Sequence, residues 1–369
     1  MAWNWQLKEW PHFTWDKAKL IQAENLFIEN AGITIGISKH LSSADKEALS
    51  VETLSINALT TSEIEGEILN RESVQASIRK QLGLSYSSRR PSASESGISE
   101  MMVDLYKNLS TPLTEQTLFA WHKMISSGRR DLESIGEYRK HSDPMQIISG
   151  ASYAPKVHYE APPSNNVPRE MKSFLTWFNN SNPKASSPLP PITRAAIAHL
   201  WFECIHPFED GNGRIGRAIS EMVLAQGLSN PIYTSISSSL LKNQKDYYKQ
   251  LELSSRDLEI TDWILWFSTI VLESQKNLEK LITFLIEKTR LLEKAKNHLN
   301  PRQEKVLLRM LAEGPSGFKG GLSAHNYSTI AGSTIATTTR DLKDLTDKGF
   351  LIKKGKLKGT RYFLNIPIK

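Results

Sequence analysis

Apolar positions recur at helical spacing along most of this chain, which predicts a mainly α-helical protein. The first clear helix is predicted from Ser43, whose hydroxyl would cap it. Its apolar side is supplied by Leu49, Ala58, Leu59, Ile64 and Ile68. Further helices are predicted from Asn70, Ile98, Thr114, Val167 and Thr193, from Ile215 to a cap at Gly227, and across residues 242–298.

Two stretches break the helical pattern. Residues 83–97 are rich in serine with glycine and proline, which predicts a loop. Two short β-prone runs flank Gly150 within residues 145–158, which predicts a small hairpin.

The C-terminal part forms a separate unit in this pattern. Two helices joined at Gly332 precede two short strands around a basic turn, and this order is typical of a winged helix-turn-helix domain. Leu342 and Leu345 would face its core, and the side chains facing a DNA groove would be Thr334, Thr337, Thr338 and Arg340. We therefore predict an N-terminal helical region at 1–97, a central domain at 98–298 and a winged-helix domain at 299–369.

Composition narrows the class of protein. Of 369 residues, 39% are hydrophobic and 23% charged, as in ordinary globular proteins. The single cysteine excludes a disulfide framework, and no apolar run reaches the roughly 18 residues of a membrane span. The tryptophan-rich N-terminus lacks the pattern of a secretory signal, so a cytoplasmic location without membrane contact is expected. Part of the net charge of +7 is concentrated in Lys353, Lys354, Lys356, Lys358 and Arg361.

Residues 206–217 (HPFEDGNGRIGR) concentrate groups that handle phosphate. The glycines Gly211 and Gly213 permit unusual backbone angles, so successive N–H groups can form an anion-binding nest where the next helix begins. Arg214 and Arg217 share a helix face and can clamp further phosphate oxygens.

The same segment also carries acid–base chemistry. Asp210 is a hard oxygen ligand suited to the Mg²⁺ that accompanies a nucleotide. His206 can accept a proton near neutral pH, and Phe208 would turn inward to anchor the loop. Each residue alone has an ordinary structural use, but their joint occurrence in one short segment predicts a phosphate-transfer site.

This segment resembles the Fic family signature, His-x-Phe-x-Asp/Glu-Gly-Asn-Gly-Arg-x-x-Arg. It agrees at every fixed position, namely His206, Phe208, Asp210, Gly211, Asn212, Gly213, Arg214 and Arg217. Residues 99–275 look like the helical Fic core, and the hairpin at 145–158 looks like its target-docking flap. Tyr247 and Tyr248 lie in a stretch similar to the family's segment near the adenine and ribose.

The resemblance implies a protein adenylyltransferase, which moves AMP from ATP to a Ser, Thr or Tyr hydroxyl of a target protein and releases pyrophosphate. His206 would be the catalytic base, and Asp210 would hold Mg²⁺. Asn212 and the nest would hold the α-phosphate, and the two arginines the β- and γ-phosphates. The ATP-binding set implied is Glu65, His206, Gly211, Asn212, Gly213, Arg214, Ile215, Gly216, Arg217, Tyr247 and Tyr248.

A second motif resembles the family's inhibitory helix, Ser/Thr-x-x-x-Glu-Gly/Asn, through Thr61, Glu65 and Gly66. A glutamate placed against Arg217 would remove the cation meant for the γ-phosphate. The same glutamate could instead position a water for removing AMP from a modified target.

Two other functions remain open at this level. The chain could be a DNA-binding regulator whose Fic core is secondary, or it could transfer another group such as UMP or phosphocholine. The winged helix could bind DNA, or it could instead mediate contact with another protein. The resemblance also implies a homodimer.

Overall fold

The computed structural model describes residues 2–86, 90–149, 156–228, 234–318 and 320–366. The α-helices in this part of the chain are α1 (Lys17–Lys39), α2 (Ser43–Ile64), α3 (Arg71–Gln81), α4 (Ala93–Lys107), α5 (Glu115–Ile125), α6 (Val167–Asn180), α7 (Pro191–Ile205), α8 (Asn212–Gln226), α9 (Ile236–Lys242), α10 (Gln244–Ser254), α11 (Thr261–Ala295), α12 (Pro301–Leu311), α13 (Ala324–Ala331) and α14 (Ile335–Asp347). The strands are β1 (Gln146–Ser149), β2 (Lys156–Glu160), β3 (Leu351–Lys354) and β4 (Arg361–Leu364). The prediction of a mainly α-helical fold is confirmed.

The chain divides into two compact units. The first comprises Met1–Gly36 and Ser50–Lys276, and the second comprises Ile37–Leu49 and Asn277–Lys369. The predicted boundary between residues 97 and 98 falls inside α4, because Ser92 and Glu95 form a capping box that starts this helix earlier than expected.

The first unit is built around α7 and α8. The side chains of α7 are buried from Ile192 to Ile205, as expected for a helix that is apolar on nearly every side. The N-terminal aromatic residues pack onto this core: Trp10 and Phe13 lie edge-on to Trp201, with ring centroids 6.2 and 6.0 Å away. The aromatic density at the N-terminus therefore serves internal packing.

The predicted hairpin is present as the antiparallel pair β1–β2. The indole N–H of Trp5 donates to the carbonyl of Glu160 at 2.7 Å, and Trp3 lies edge-on to Tyr159 at 5.2 Å. The N-terminus thus supports β2. The predicted turn at Gly150 lies outside the described residues.

The second unit contains α12, α13, α14 and the antiparallel pair β3–β4. Asp341 ties its helices together by accepting hydrogen bonds from Tyr327 at 3.1 Å and from Arg302 at 3.2 Å. Leu342 and Leu345 are buried as predicted. The element order agrees with the prediction, and the name winged helix stays a prediction.

The predicted loop at 83–97 ends early, because α4 begins at Ala93, and four further local predictions were wrong. Ser42 rather than Ser43 accepts the first-turn hydrogen bond of α2, from Asp45. Ile68 lies beyond the end of α2 and is 78% exposed. Leu322 bridges to Tyr362 rather than starting α13.

The fourth concerns the groove-facing set on α14. Thr338 is buried and hydrogen-bonded to Ser333, so it cannot contact DNA. Among the described residues no helix is both long and apolar enough to cross a bilayer.

Candidate active site

His206 directly follows α7 and has a left-handed backbone, with φ 49° and ψ 61°. This conformation is costly for a residue with a side chain, so surrounding contacts must hold it. Arg139 does so, because its Nε donates to the His206 carbonyl at 2.8 Å and its backbone N–H donates to the Pro207 carbonyl at 2.9 Å. The buried Arg139 therefore fixes the direction in which the His206 side chain leaves the backbone.

The His206 imidazole is neutral at physiological pH. Burial lowers its pKa to about 4, and the positive charge of Arg139 acts in the same direction. Its Nδ1 lies 3.3 Å from the carbonyl oxygen of Glu203. This contact favours the tautomer with a proton on Nδ1, which leaves Nε2 to accept a proton.

The loop after His206 is locked from inside. Phe208 is fully buried, as predicted, and stacks on His122 with 4.2 Å between ring centroids. The side chain of Asn212 accepts from the Phe208 N–H at 2.9 Å and donates to its carbonyl at 2.8 Å. Asn212 therefore holds the loop with its side chain and offers a ligand its backbone N–H.

The N-terminus of α8 faces the site. The amides of Asn212, Gly213 and Arg214 belong to the first helical turn, where backbone donors have no partner inside the helix. Gly211 precedes them at φ +84°, and a Cβ there would lie 2.6 Å from Ile125 Cδ1. Glycine is thus required, and the first turn forms an anion cradle.

Asp210 lies beside this cradle. One carboxylate oxygen accepts the Gly211 N–H at 2.6 Å, and the other pairs with Arg129 and lies 3.6 Å from Arg214. Burial opposes ionisation, but the hydrogen bond from Arg129 and the charge of Arg214 outweigh it and hold the pKa of Asp210 below its ordinary value.

Asp210 offers a single carboxylate as a ligand for a metal ion. No cluster of three potential metal ligands occurs in the described ranges. One carboxylate fits Mg²⁺ when substrate phosphates and waters complete the shell.

Arg217 is held by the end of α2. Its guanidinium is buried, pairs with Glu65 at 2.6 Å and donates to the Thr61 hydroxyl at 2.7 Å. Burial alone would lower the pKa of Arg217, but the charge of Glu65 raises it above the ordinary value. The guanidinium therefore stays charged, with a carboxylate as its partner.

Glu65 also covers the cradle. A Cβ on Gly213 would lie 2.2 Å from Glu65 Oε1, so the carboxylate lies directly over the first turn of α8. Gly66 turns the chain at φ +81°, and Glu67 then pairs with Arg214 at 3.2 Å. One short segment supplies a carboxylate to both arginines.

Comparison with known proteins identifies the region around this site. Residues 112–224 match the model of the Fic/DOC family. This chain has a Fic domain. Residues 3–84 match a separate model, described as a domain of unknown function (DUF4172).

Curated relatives of the Fic domain match over short segments. A probable protein adenylyltransferase of Aquifex aeolicus (strain VF5), aq_aa38, is 36% identical over 94 residues, or 25% of each chain. The protein adenylyltransferase fic-1 of Caenorhabditis elegans is 28% identical over 89 residues, or 24% of this chain and 16% of the relative. The chain thus spans a quarter or less of these relatives' length.

A solved structure extends the likeness in fold beyond the Fic domain. A Fic family protein from Desulfovibrio desulfuricans G20 covers 96% of this chain and 98% of its own, with a TM-score of 0.52 at 21% identity. The two proteins share a fold.

The Fic domain, Glu65 after α2, and α10 line a pocket of about 650 Å³. Six predicted site residues line it, namely Glu65, His206, Gly213, Arg217, Tyr247 and Tyr248. The hydroxyl of Tyr247 is hydrogen-bonded to Nε2 of His199 at 2.7 Å. The hydroxyl of Tyr248 donates to the Ile64 carbonyl at 3.2 Å. Tyr248 therefore contacts the end of α2 as well as the pocket.

Other predicted residues lie around this pocket. Asp210 and Arg214 do not line the pocket: Asp210 pairs with Arg129, and Arg214 pairs with Glu67. The side chain of Ile215 is in the hydrophobic core. Gly216 lies against Glu203, since a Cβ there would be 2.4 Å from Glu203 Oε1.

Sequence reasoning missed several residues of the Fic domain. Arg129 and Arg139 lie far upstream of the motif, and no local pattern marks either one. Glu203 lies three residues before His206 and lines the pocket. The sequence signal that could have identified it is an acidic residue inside an otherwise apolar helix.

Proposed function

We propose that this chain is a protein adenylyltransferase that moves AMP from ATP to a Ser, Thr or Tyr hydroxyl of a target protein. The observation that carries the proposal is the convergence of a neutral His206 that lines the pocket with the first turn of α8 and two arginines. Such a set binds a polyphosphate and places a base beside it. The names of the curated relatives support the same activity.

In the proposed reaction, Nε2 of His206 takes the proton of the target hydroxyl. The hydroxyl oxygen bonds to the α-phosphorus, and the bond from that phosphorus to the bridging oxygen breaks, so pyrophosphate leaves. The α8 amides and the arginines stabilise the charge on the phosphates. Asp210 would hold Mg²⁺, which would neutralise phosphate charge. The exposed strand β1 of the flap would align the target by strand addition.

We further propose that the resting enzyme is inhibited by its own Glu65. The carboxylate lies 2.6 Å from the guanidinium that the γ-phosphate needs and covers Gly213. ATP would then bind with its α-phosphate out of line. If wild-type protein released AMP from a modified target and the Glu65→Gly variant did not, the same carboxylate would also serve AMP removal.

The test uses His206→Ala in a Glu65→Gly background, with ATP or UTP labelled at the α-phosphate and a cell extract as the source of targets. We expect label from ATP on extract proteins, its loss to background in His206→Ala, and ATP binding retained in both proteins. The exposed His12→Ala is the matched control and should keep the activity. Transfer to extract proteins that survives His206→Ala would refute the role of His206 as the catalytic base. More label from UTP than from ATP would show that the transferred group is UMP.

A second candidate function concerns the C-terminal unit. Arg340 on α14 and Lys353 on β3 are exposed. A basic hairpin beside an exposed helix face can contact a phosphate backbone, so we propose DNA binding there. The side chain of Lys358 lies outside the described residues.

Self-association as a homodimer is proposed from the family resemblance, and Ile21 and Ile28 leave apolar surface on α1 for it.

A further inference from the structure

Two polar side chains of the flap and one of α10 form a hydrogen-bonded row that the proposed reaction does not use. Ser149 Oγ lies 2.6 Å from His158 Nε2, and His158 Nδ1 lies 2.7 Å from Glu252 Oε2. Because the carboxylate accepts from Nδ1–H, Nε2 is left to accept the serine proton. This is the order of nucleophile, base and orienting carboxylate found in activated serines.

Backbone geometry directs the His158 side chain toward Ser149 and Glu252. In the ladder, Ile147 pairs with Tyr159 and Ile148 with Val157, so His158 is the extra residue of a β-bulge. Bulges redirect a side chain that regular pairing would send elsewhere. Glu252 on α10 is also held at 3.5 Å from Lys156, which fastens the flap to α10.

The three residues face the same pocket as the phosphate site. Ser149, His158 and Glu252 line it together with His206, Gly213 and Arg217. An activated hydroxyl therefore shares one cavity with the groups that would hold the α-phosphate of ATP.

We propose that Ser149 is an acceptor of AMP within its own chain, activated by His158 and Glu252. The inference rests on the proposed adenylyltransferase function. His158 Nε2 takes the Ser149 proton, the serine oxygen bonds to the α-phosphorus of ATP, and pyrophosphate leaves with the bridging oxygen. Glu252 stabilises the imidazolium that forms. AMP on Ser149 would end β1 with a bulky anion and so limit target docking on that strand.

The experiment uses the full chain with Glu65→Gly, labelled ATP, Mg²⁺ and cell extract, followed by peptide mapping of the enzyme. We expect AMP on Ser149, its loss in Ser149→Ala, and a decrease of at least roughly tenfold in His158→Gln. Glutamine removes the base and leaves the serine present. The exposed Ser187→Ala is the matched control and should leave the label unchanged.

The outcomes separate this inference from the proposed function. Labelled extract proteins with an unmodified Ser149 would overturn the inference and leave the adenylyltransferase standing. AMP on Ser149 at an unchanged level in His158→Gln would overturn the role of His158. No label on the enzyme or on the extract would overturn both proposals.

Discussion

Glu203 is a buried carboxyl group in the pocket that the proposed mechanism does not use. Its Oε1 has no hydrogen-bond partner among the described residues, and its Oε2 lies 3.9 Å from His206 Nδ1. Burial raises its pKa to about 8, although the charge of Arg217 opposes this and that of Glu65 adds to it. Glu203 is therefore protonated at neutral pH in the resting protein.

This protonation predicts a pH-dependent stability. Between the ordinary pKa of 4.5 and about 8, the unfolded chain loses the Glu203 proton while the folded chain keeps it. The free energy of unfolding contributed by this group therefore falls as pH rises through that window. Glu203→Gln removes the loss, so its Tm should exceed that of wild type by an amount that grows from pH 5 to pH 8. Each kcal/mol corresponds to roughly 2–4 °C.

Thermal unfolding of both proteins at pH 5, 6.5 and 8 measures the effect. Glu63→Gln, an exposed change on α2, is the control and should show no trend. A Tm difference that stays constant with pH would contradict the protonated state of Glu203.

At the scale of elements, the end of α2 is the part that reaches the active site. Thr61 and Glu65 are one turn apart and meet Arg217 together. Gln244 and Tyr248 on α10 donate to the Ile64 carbonyl at 2.9 and 3.2 Å, which holds the helix end in place. α2 and α10 thus form one support for the Glu65 carboxylate.

Removing that carboxylate should release the activity. In Glu65→Gly, Arg217 loses its ion-pair partner and Gly213 loses its cover, so we expect transfer of labelled AMP to rise at least about tenfold, equivalent to roughly 1.4 kcal/mol. Glu63→Gly is the matched control, because it adds the same glycine to the same turn and removes an exposed carboxylate. Equal rates in the two variants would show that the helix end, and not the carboxylate, controls the activity.

The elements differ in how well the sequence predicts them. The contact of Glu65 with Arg217 is what the resemblance to the family's inhibitory-helix motif implies, and the two side chains lie 2.6 Å apart. The contacts of Arg129 and Arg139 join residues about 70–80 positions apart, so only the folded chain reveals them. The serine-rich surroundings of Ser92 predict a loop and mask the capping box that starts α4 there.

At the scale of the whole molecule, the chain combines the Fic domain with a second, basic unit. The sequence predicts three domains, the last of which begins at residue 299, whereas the folded chain divides into two units, and residues 37–49 and the second half of α11 also belong to the second unit. The boundary between the units falls inside the long helix α11, where the composition does not change. The sequence therefore marks a boundary only at Pro301, after this helix has ended.

DNA binding by the second unit is testable with the full chain. We expect a gel shift of duplex DNA at low salt whose affinity falls steeply as salt rises, because phosphate contacts release counterions. Arg340→Glu and Lys353→Glu should each weaken it. Lys280→Glu makes the same charge change on α11 of the same unit and should have little effect. An absence of binding at low salt would exclude this function.

The position of Glu65 over Gly213 has a consequence for how the enzyme would respond to its substrate. In the proposed mechanism the Glu65 carboxylate and a productively bound γ-phosphate would compete for one buried guanidinium. Because ATP is proposed to bind with Glu65 in place as well, more ATP fills the pocket without by itself displacing the glutamate; only a difference in affinity between the two arrangements does so. A partner that captured the displaced end of α2 would therefore raise the rate of transfer at saturating ATP as well as at low ATP.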